Sequence, residues 1–214
     1  MTITKLGHCC LLIDVDGTRI LTDPGLFTTE EQETLEDLDL LLITHEHTDH
    51  LHVESLKKVL AKNPNARVVT NTAVGKILRA EGITFDVIEH SQSTSIGSIS
   101  IDGFGNEHAE IYGEYGRVQN TGFLIADRLF VPGDAFTVPG KPVEILALPV
   151  AGPWMKVKEA IDYALAVKSK LAFPVHDGML TSFGSAHSAP EKFLGEAGIQ
   201  FIIPKIGQPT EFKP

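Results

Sequence analysis

The segment Thr44-His45-Glu46-His47-Thr48-Asp49-His50 packs three imidazoles and two carboxylates into seven residues. Given this chain's own histidine and aspartate content, H-x-H-x-D-H would arise by chance in roughly one of a thousand such sequences. In an extended or tightly turned backbone, side chains two positions apart point to the same side. His45 and His47 can therefore grip one cation, while Asp49 and His50, further along the loop, can grip a second. Neutral imidazole and carboxylate suit zinc, and also manganese or iron. The bland reading, a polar surface loop, leaves such crowding of imidazoles without a reason.

One segment cannot fill two metal sites, so other elements must deliver the remaining ligands. The apolar run LDLLLIT reads as a buried strand directly before the motif. In α/β proteins the loops beyond strand ends are where sites form. Three further positions repeat this grammar: His108 after SISIDGFGNE, Asp134 after RLFVPG, and His176 after LAFPV. A carboxylate such as Asp134 can bridge two cations, which histidine cannot.

The rest of the chain alternates strand-like and helix-like runs. CCLLID and TRILTD read as strands joined through VDG, and RVVT, ITFDVIE, SISIDGF, TGFLIA, RLFVP, VEILALP, LAFPV and IQFIIP as further strands. VESLKKVLAK carries Val53, Leu56, Val59 and Leu60 on one helical face and is stopped by Asn63-Pro64. TAVGKILRAEG and VKEAIDYALAVK read as helices, Trp154 and Met155 begin the latter as core or pocket-wall residues, and a short helix starts at Pro190. This order predicts a layered α/β protein, helices outside, with residues 1–214 forming a single domain.

With these residues in view, the chain resembles the metallo-β-lactamase fold superfamily: HEHTDH, His108, Gly133-Asp134 and a late His176. Gly7-His8, LTDPGLF, and LPVAGPWMKVKEAIDYA followed by LAFPVHD resemble its small single-domain branch. That branch includes the ascorbate-6-phosphate lactonase-like and UPF0173-type metal-dependent hydrolases. The resemblance runs from about Thr2 to Asp177. It implies a four-layer αββα sandwich with the site along one edge. It also implies that His45, His47 and His108 hold a first metal, that Asp49, His50 and His176 hold a second, and that Asp134 bridges them. Asp23 would support the site loop by hydrogen bonding. Ala109–Tyr112 and Asp177 depart from the pattern of that branch at places expected to border the substrate pocket.

The chemistry expected of such a binuclear site is hydrolysis. Two neighbouring cations make hydroxide available near neutral pH and polarise a carbonyl or phosphoryl oxygen. Asp49 is placed to orient that hydroxide and take a proton. The expected reaction is cleavage of an ester-like bond (a lactone, phosphoester or amide) in a small substrate. Even an anionic substrate would be drawn in by the cations. Two other classes stand beside this one: an iron-dependent redox or oxygen-handling protein, and a non-catalytic metal-binding module. His8 either assists catalysis at the pocket or makes a structural hydrogen bond at a strand start. His52, His90 and His187 read as surface or loop residues. Cys9 and Cys10 read as packing residues.

Composition bounds the rest. A formal charge of −10 argues against general nucleic-acid binding. No apolar run approaches the ~18 residues of a membrane span. Adjacent cysteines, with Cα atoms ~3.8 Å apart, fall short of the ~4.4 Å that a relaxed disulfide needs. A reducing cytoplasm is the expected setting. No P-loop, dinucleotide fingerprint or nucleophile elbow occurs. Oligomeric state stays open, a homo-oligomer included.

Overall fold

Leu11 and Ile13 of the strand Cys10–Val15 face one core, Leu12 faces another, and all three are buried. A strand apolar on both sides needs cover on both, and the architecture follows from that need. In the computed structural model, which describes residues 1–213, a second sheet covers one side and helices cover the other.

The first sheet has seven strands. Thr2–Gly7 (β1), Cys10–Val15 (β2) and Thr18–Thr22 (β3) form an antiparallel meander. Leu40–Leu42 (β4), Arg67–Thr70 (β5) and Asp86–Val87 (β6) continue it in parallel. The second sheet also has seven. Ser93–Ile96 (β7), Ile99–Phe104 (β8), Gly122–Ile125 (β9) and Leu129–Val131 (β10) are antiparallel. Ile145–Pro149 (β11), Leu171–Val175 (β12) and Gln200–Phe201 (β13) are parallel. Pro209–Glu211 (β14) returns to the first sheet beside β1.

Three apolar layers fill the spaces. Ile13, Leu40 and Leu42 meet Phe123, Ile145 and Phe173 between the sheets. Thr29–Gln32 (α1), Val53–Lys62 (α2) and Thr72–Ala80 (α3) belong to the first half, and Leu56, Val59, Val74 and Leu78 pack on its outer face. Val157–Val167 (α4) and Gly184–Glu196 (α5) cover the second sheet through Ala160, Ala164 and Leu194. This is the αββα sandwich the resemblance implies. No helix among the described residues is long and apolar enough to cross a membrane.

Several expectations need correction. TITKLG is a strand, so His8 lies in the turn between β1 and β2 rather than at a strand start. Buried Lys5 broke the apolar pattern that would have marked this strand. The last helix begins at Gly184 and carries Pro190 inside it. Burial of Ala186, His187 and Leu194 holds the helix across the hydrogen bond that proline cannot donate. Helix α4 starts at Val157, which leaves Trp154 and Met155 in the turn before it.

The segment after β3 packs backbone against backbone on the histidine loop. Leu26 N–H donates to Thr48 O at 2.9 Å, and His52 N–H to Pro24 O at 3.0 Å. Gly25 permits this approach, because a Cβ there would lie 1.8 Å from Asp49 O. Gly25→Ala should destabilise the fold by about 1–3 kcal/mol as the two backbones are forced apart. A lowered midpoint in thermal unfolding, with less metal retained after dialysis, is the expected result.

Candidate metal centre

Six strand ends deliver side chains to one rim. His8 follows β1, Asp23 follows β3, His45 follows β4, His108 follows β8, Asp134 follows β10 and His176 follows β12. Their backbones turn sharply to leave the sheet edge. His8, Asp23 and His176 have φ of 49°, 42° and 60°, a left-handed region that non-glycine residues seldom occupy. Such strain, of order 1–3 kcal/mol per residue, persists where surrounding bonds over-determine it. Here they do. His176 N–H donates to His8 O at 3.3 Å, and Asp23 N–H to Leu42 O at 2.9 Å.

The ligand-capable atoms fall into two groups, each within 4.8 Å: His45, His47, His108 and Asp134, and His8, Asp49, His50 and His176. Asp134 also reaches the second group, with Oδ1 3.2 Å from His50 Nε2 and Oδ2 2.8 Å from His176 Nε2. Its Oδ2 lies 3.3 Å from His108 Nε2. Every residue singled out from the sequence as a ligand therefore converges on this rim. Cys9 is buried beneath it, near His50 and Asp134. Burial pushes the Cys9 thiol pKa up, in keeping with a packing role.

Hydrogen bonds decide which nitrogen of each ring faces inward. Asp23 Oδ2 accepts from His50 Nδ1 at 2.9 Å and from the Thr44 hydroxyl at 2.9 Å. That hydroxyl oxygen is 3.0 Å from His45 Nδ1, which donates to it. Asp23 Oδ1 accepts from Thr44 N–H at 2.8 Å. His108 Nδ1 donates to Ala109 O at 2.6 Å. With the outer nitrogens engaged, the Nε2 atoms of His45, His50 and His108 are buried without a hydrogen bond, as are His176 Nε2 and Asp134 Oδ1. A native fold seldom leaves so many buried polar atoms unpaired. A cation is the partner that lone pairs converging in this way fit.

The electrostatics agree. Burial holds the His45 and His47 pKa values down, so both rings are neutral. Burial opposes charge on His50 too, but Asp134 and Asp23 outweigh it and raise its pKa well above the ordinary value. His176 is raised to about 10 against burial by Asp134 and Asp49. Asp134 is fully enclosed, which disfavours its charge, yet His50 and His176 hold its pKa well below the carboxylate range. These carboxylates favour positive charge around them, as the raised His50 and His176 show, and a cation would satisfy the same demand.

Other neighbours take roles that the sequence did not assign to them. Trp154 Nε1 donates to Asp134 Oδ2 at 3.0 Å. Asn120 accepts from Asp134 N–H at 3.0 Å and donates to Pro132 O at 2.9 Å, bracketing the Gly133 turn. At Gly133, φ is 66° and a Cβ would lie 2.2 Å from Asn120 Oδ1. Asp177 does not border the pocket. It is buried, accepting from Lys5 Nζ at 2.6 and 2.8 Å and pairing with His187 Nε2 at 2.8 Å. His187 is thus a buried residue of α5 rather than a surface one. His52 caps α2, accepting from Ser55 N–H at 3.3 Å, and His90 is exposed.

Comparison with known proteins places this geometry. Residues 2–176 match the family model described as Beta-lactamase superfamily domain. The Mycobacterium tuberculosis protein Rv0786c is 36% identical over 185 residues, covering 84% of this chain and 85% of its own length. A UPF0173 metal-dependent hydrolase of Methanocaldococcus jannaschii is 26% identical, covering 98% of this chain and 99% of its own. The solved structure of Igni18, a metallo hydrolase from Ignicoccus hospitalis, superposes with TM-score 0.76 at 18% identity, covering 99% of both chains.

Two substitutions probe the supports of the centre. Asp23→Ala releases the outer nitrogen of His50 and the Thr44 bridge to His45. It should weaken metal retention about 10- to 100-fold in competition with a chromogenic chelator. Lys5→Met leaves Asp177 with a buried, poorly compensated charge and should cost about 3–5 kcal/mol in denaturant unfolding. The double variant Lys5→Met/Asp177→Leu should recover much of that loss.

Proposed function

The chain belongs to the beta-lactamase superfamily and is a metal-dependent hydrolase, and from that premise we propose that it uses two divalent ions to cleave an ester-like bond. The observation that carries this reading is the set of buried, unpartnered atoms that converge on the rim: Nε2 of His45, His50, His108 and His176, and Oδ1 of Asp134. His45, His47 and His108 would hold one ion, Asp49, His50 and His176 the other, and Asp134 would touch both. Zinc fits three imidazoles and a carboxylate, and manganese or iron are the next choices. When bound, such ions acidify water and polarise the oxygen of a scissile carbonyl or phosphoryl group.

The chain's own residues do the rest. Asp49 is the catalytic base. Burial disfavours its charge, but the His176 ring, with Nε2 3.4 Å from Oδ2, and the hydrogen bond from His8 outweigh that and keep its carboxyl below the usual range, so it is ionised at neutral pH. His8 acts through Asp49. Gly178 N–H donates to His8 Nδ1 at 3.1 Å, so Nε2 keeps the proton and donates it to Asp49 Oδ2 at 3.1 Å. Burial lowers the His8 pKa, which keeps the ring neutral for this role. Its bond holds the Asp49 carboxylate in place, with Oδ2 also 3.4 Å from His176 Nε2. Trp154 does the same for Asp134, fixing one oxygen and excluding water from it. The buried, unpaired Cys9 and Cys10 fit a reducing setting such as the cytoplasm.

Elemental analysis of protein purified without chelator tests the reading. About two zinc, manganese or iron atoms per chain are expected, with His45→Ala and Asp134→Ala each losing at least one. Both variants should lose ester hydrolysis by about 100-fold or more, as expected when the charge-stabilising group is removed. Wild type that binds no metal even after reconstitution, or an activity that survives His45→Ala, would overturn it.

A further inference from the structure

Above the two ligand groups lies a cavity of about 420 Å³, a volume usual for small-molecule sites. Beyond the ligand residues its wall is largely apolar: Ile111, Tyr115, Pro153, Trp154 and Met179. No lysine or arginine lines it among the described residues, and the charge it adds is negative, from Glu46. Arg117, on the same mouth loop as Ile111 and Tyr115, is already engaged. Its guanidinium donates to Glu107 at 3.3 Å and to Glu114 at 3.1 Å.

The opening is rimmed by side chains that water does not favour. Tyr115 is 73% exposed and Met179 is 42% exposed. Outside the cavity wall, Phe27, 47% exposed, packs on His8 with ring centroids 4.7 Å apart. Isolated exposed apolar residues are ordinary, but a rim of them around one polar floor marks a surface for an apolar ligand. A phosphate or carboxylate remote from the reacting bond would find no cationic side chain here and would face Glu46. An alkyl or aryl group would find a complementary wall.

From this lining we propose that the substrate is an uncharged carboxylic ester or lactone whose acyl chain lies against Ile111, Tyr115, Trp154 and Met179, and that phosphorylated or carboxylated compounds are rejected. The inference rests on the hydrolase reading above. In the reaction, water oxygen adds to the acyl carbon and the bond from that carbon to the leaving oxygen breaks. The leaving oxygen takes one water proton, and the other is released as the product acid ionises.

Trp154 is the single tryptophan of the chain, so its fluorescence reports occupancy without any turnover. Zinc-reconstituted full-length protein is assayed with p-nitrophenyl acetate, butyrate and hexanoate, and with p-nitrophenyl phosphate. In parallel, Trp154 emission is titrated with acetamide, butyramide and hexanamide, with and without zinc. Both kcat/KM and amide affinity should rise about fourfold per added methylene, the usual value for burying one. Tyr115→Ala and Met179→Ser, at exposed positions, should flatten both slopes, and Glu46→Lys should admit the hexanoate anion. A flat chain-length series, or preference for the phosphate ester, overturns the proposal while leaving the hydrolase reading standing. A rising amide series on Trp154 with no ester cleaved keeps the apolar lining but overturns ester cleavage, and with it both the ester substrate and the ester-cleaving reading on which it rests.

Discussion

The arrangement of this site depends on a buried carboxylate that meets no substrate. Asp23 accepts from His50, from the Thr44 hydroxyl and from the Thr44 amide. Through these bonds it dictates which nitrogens of His50 and His45 carry protons on their outer side. An imidazole presents one lone pair only when its other nitrogen holds a proton, so fixing the outer proton fixes the inner acceptor. Asp23 is wholly buried, and burial of a carboxylate is tolerable only when its oxygens are engaged. Its presence beside the β4 end therefore requires the Thr44-His45 turn and the His50 ring in these positions. Fold and site constrain each other through this one residue.

The same economy appears at the opposite wall. Lys5 on β1 and His187 on α5 both reach Asp177, the neighbour of His176. These contacts tie the first strand and the last helix to the turn where His176 takes its left-handed backbone. Neither Lys5 nor His187 faces the cavity. Their effect is to remove freedom from a ligand whose ring nitrogens make no hydrogen bond of their own. Loops carry the chemistry, and paired buried charges stop those loops from being loops in any dynamic sense.

What was legible in the sequence was what is local. H-x-H-x-D-H is contiguous, and an apolar strand followed by His or Asp can be recognised at His108, Asp134 and His176 without knowing which strands are neighbours. The sandwich itself came from resemblance, because alternating runs say that layers exist but not how two sheets stack. The roles of Lys5, Asn120, Trp154 and His187 were not legible because none carries a local pattern; Lys5 acts on Asp177 across 172 positions, and the other three meet their partners only once separate elements have packed. Pro190 misled because proline is usually a helix start, while here tertiary burial carries α5 through it.

The strand β14 has a consequence for how the chain is made. It pairs with β1, joining Thr2 to Glu211 and Ile3 to Thr210. One edge of β1 thus stays unpaired until β14 has been synthesised. A pairing of residues 209 positions apart, as Thr2 and Glu211 are, has a high contact order, and it delays completion of folding. The histidine loop is synthesised long before Asp134 and His176. A nascent chain that has not yet reached Asp134 and His176 can therefore hold at most a fragment of this side-chain cluster.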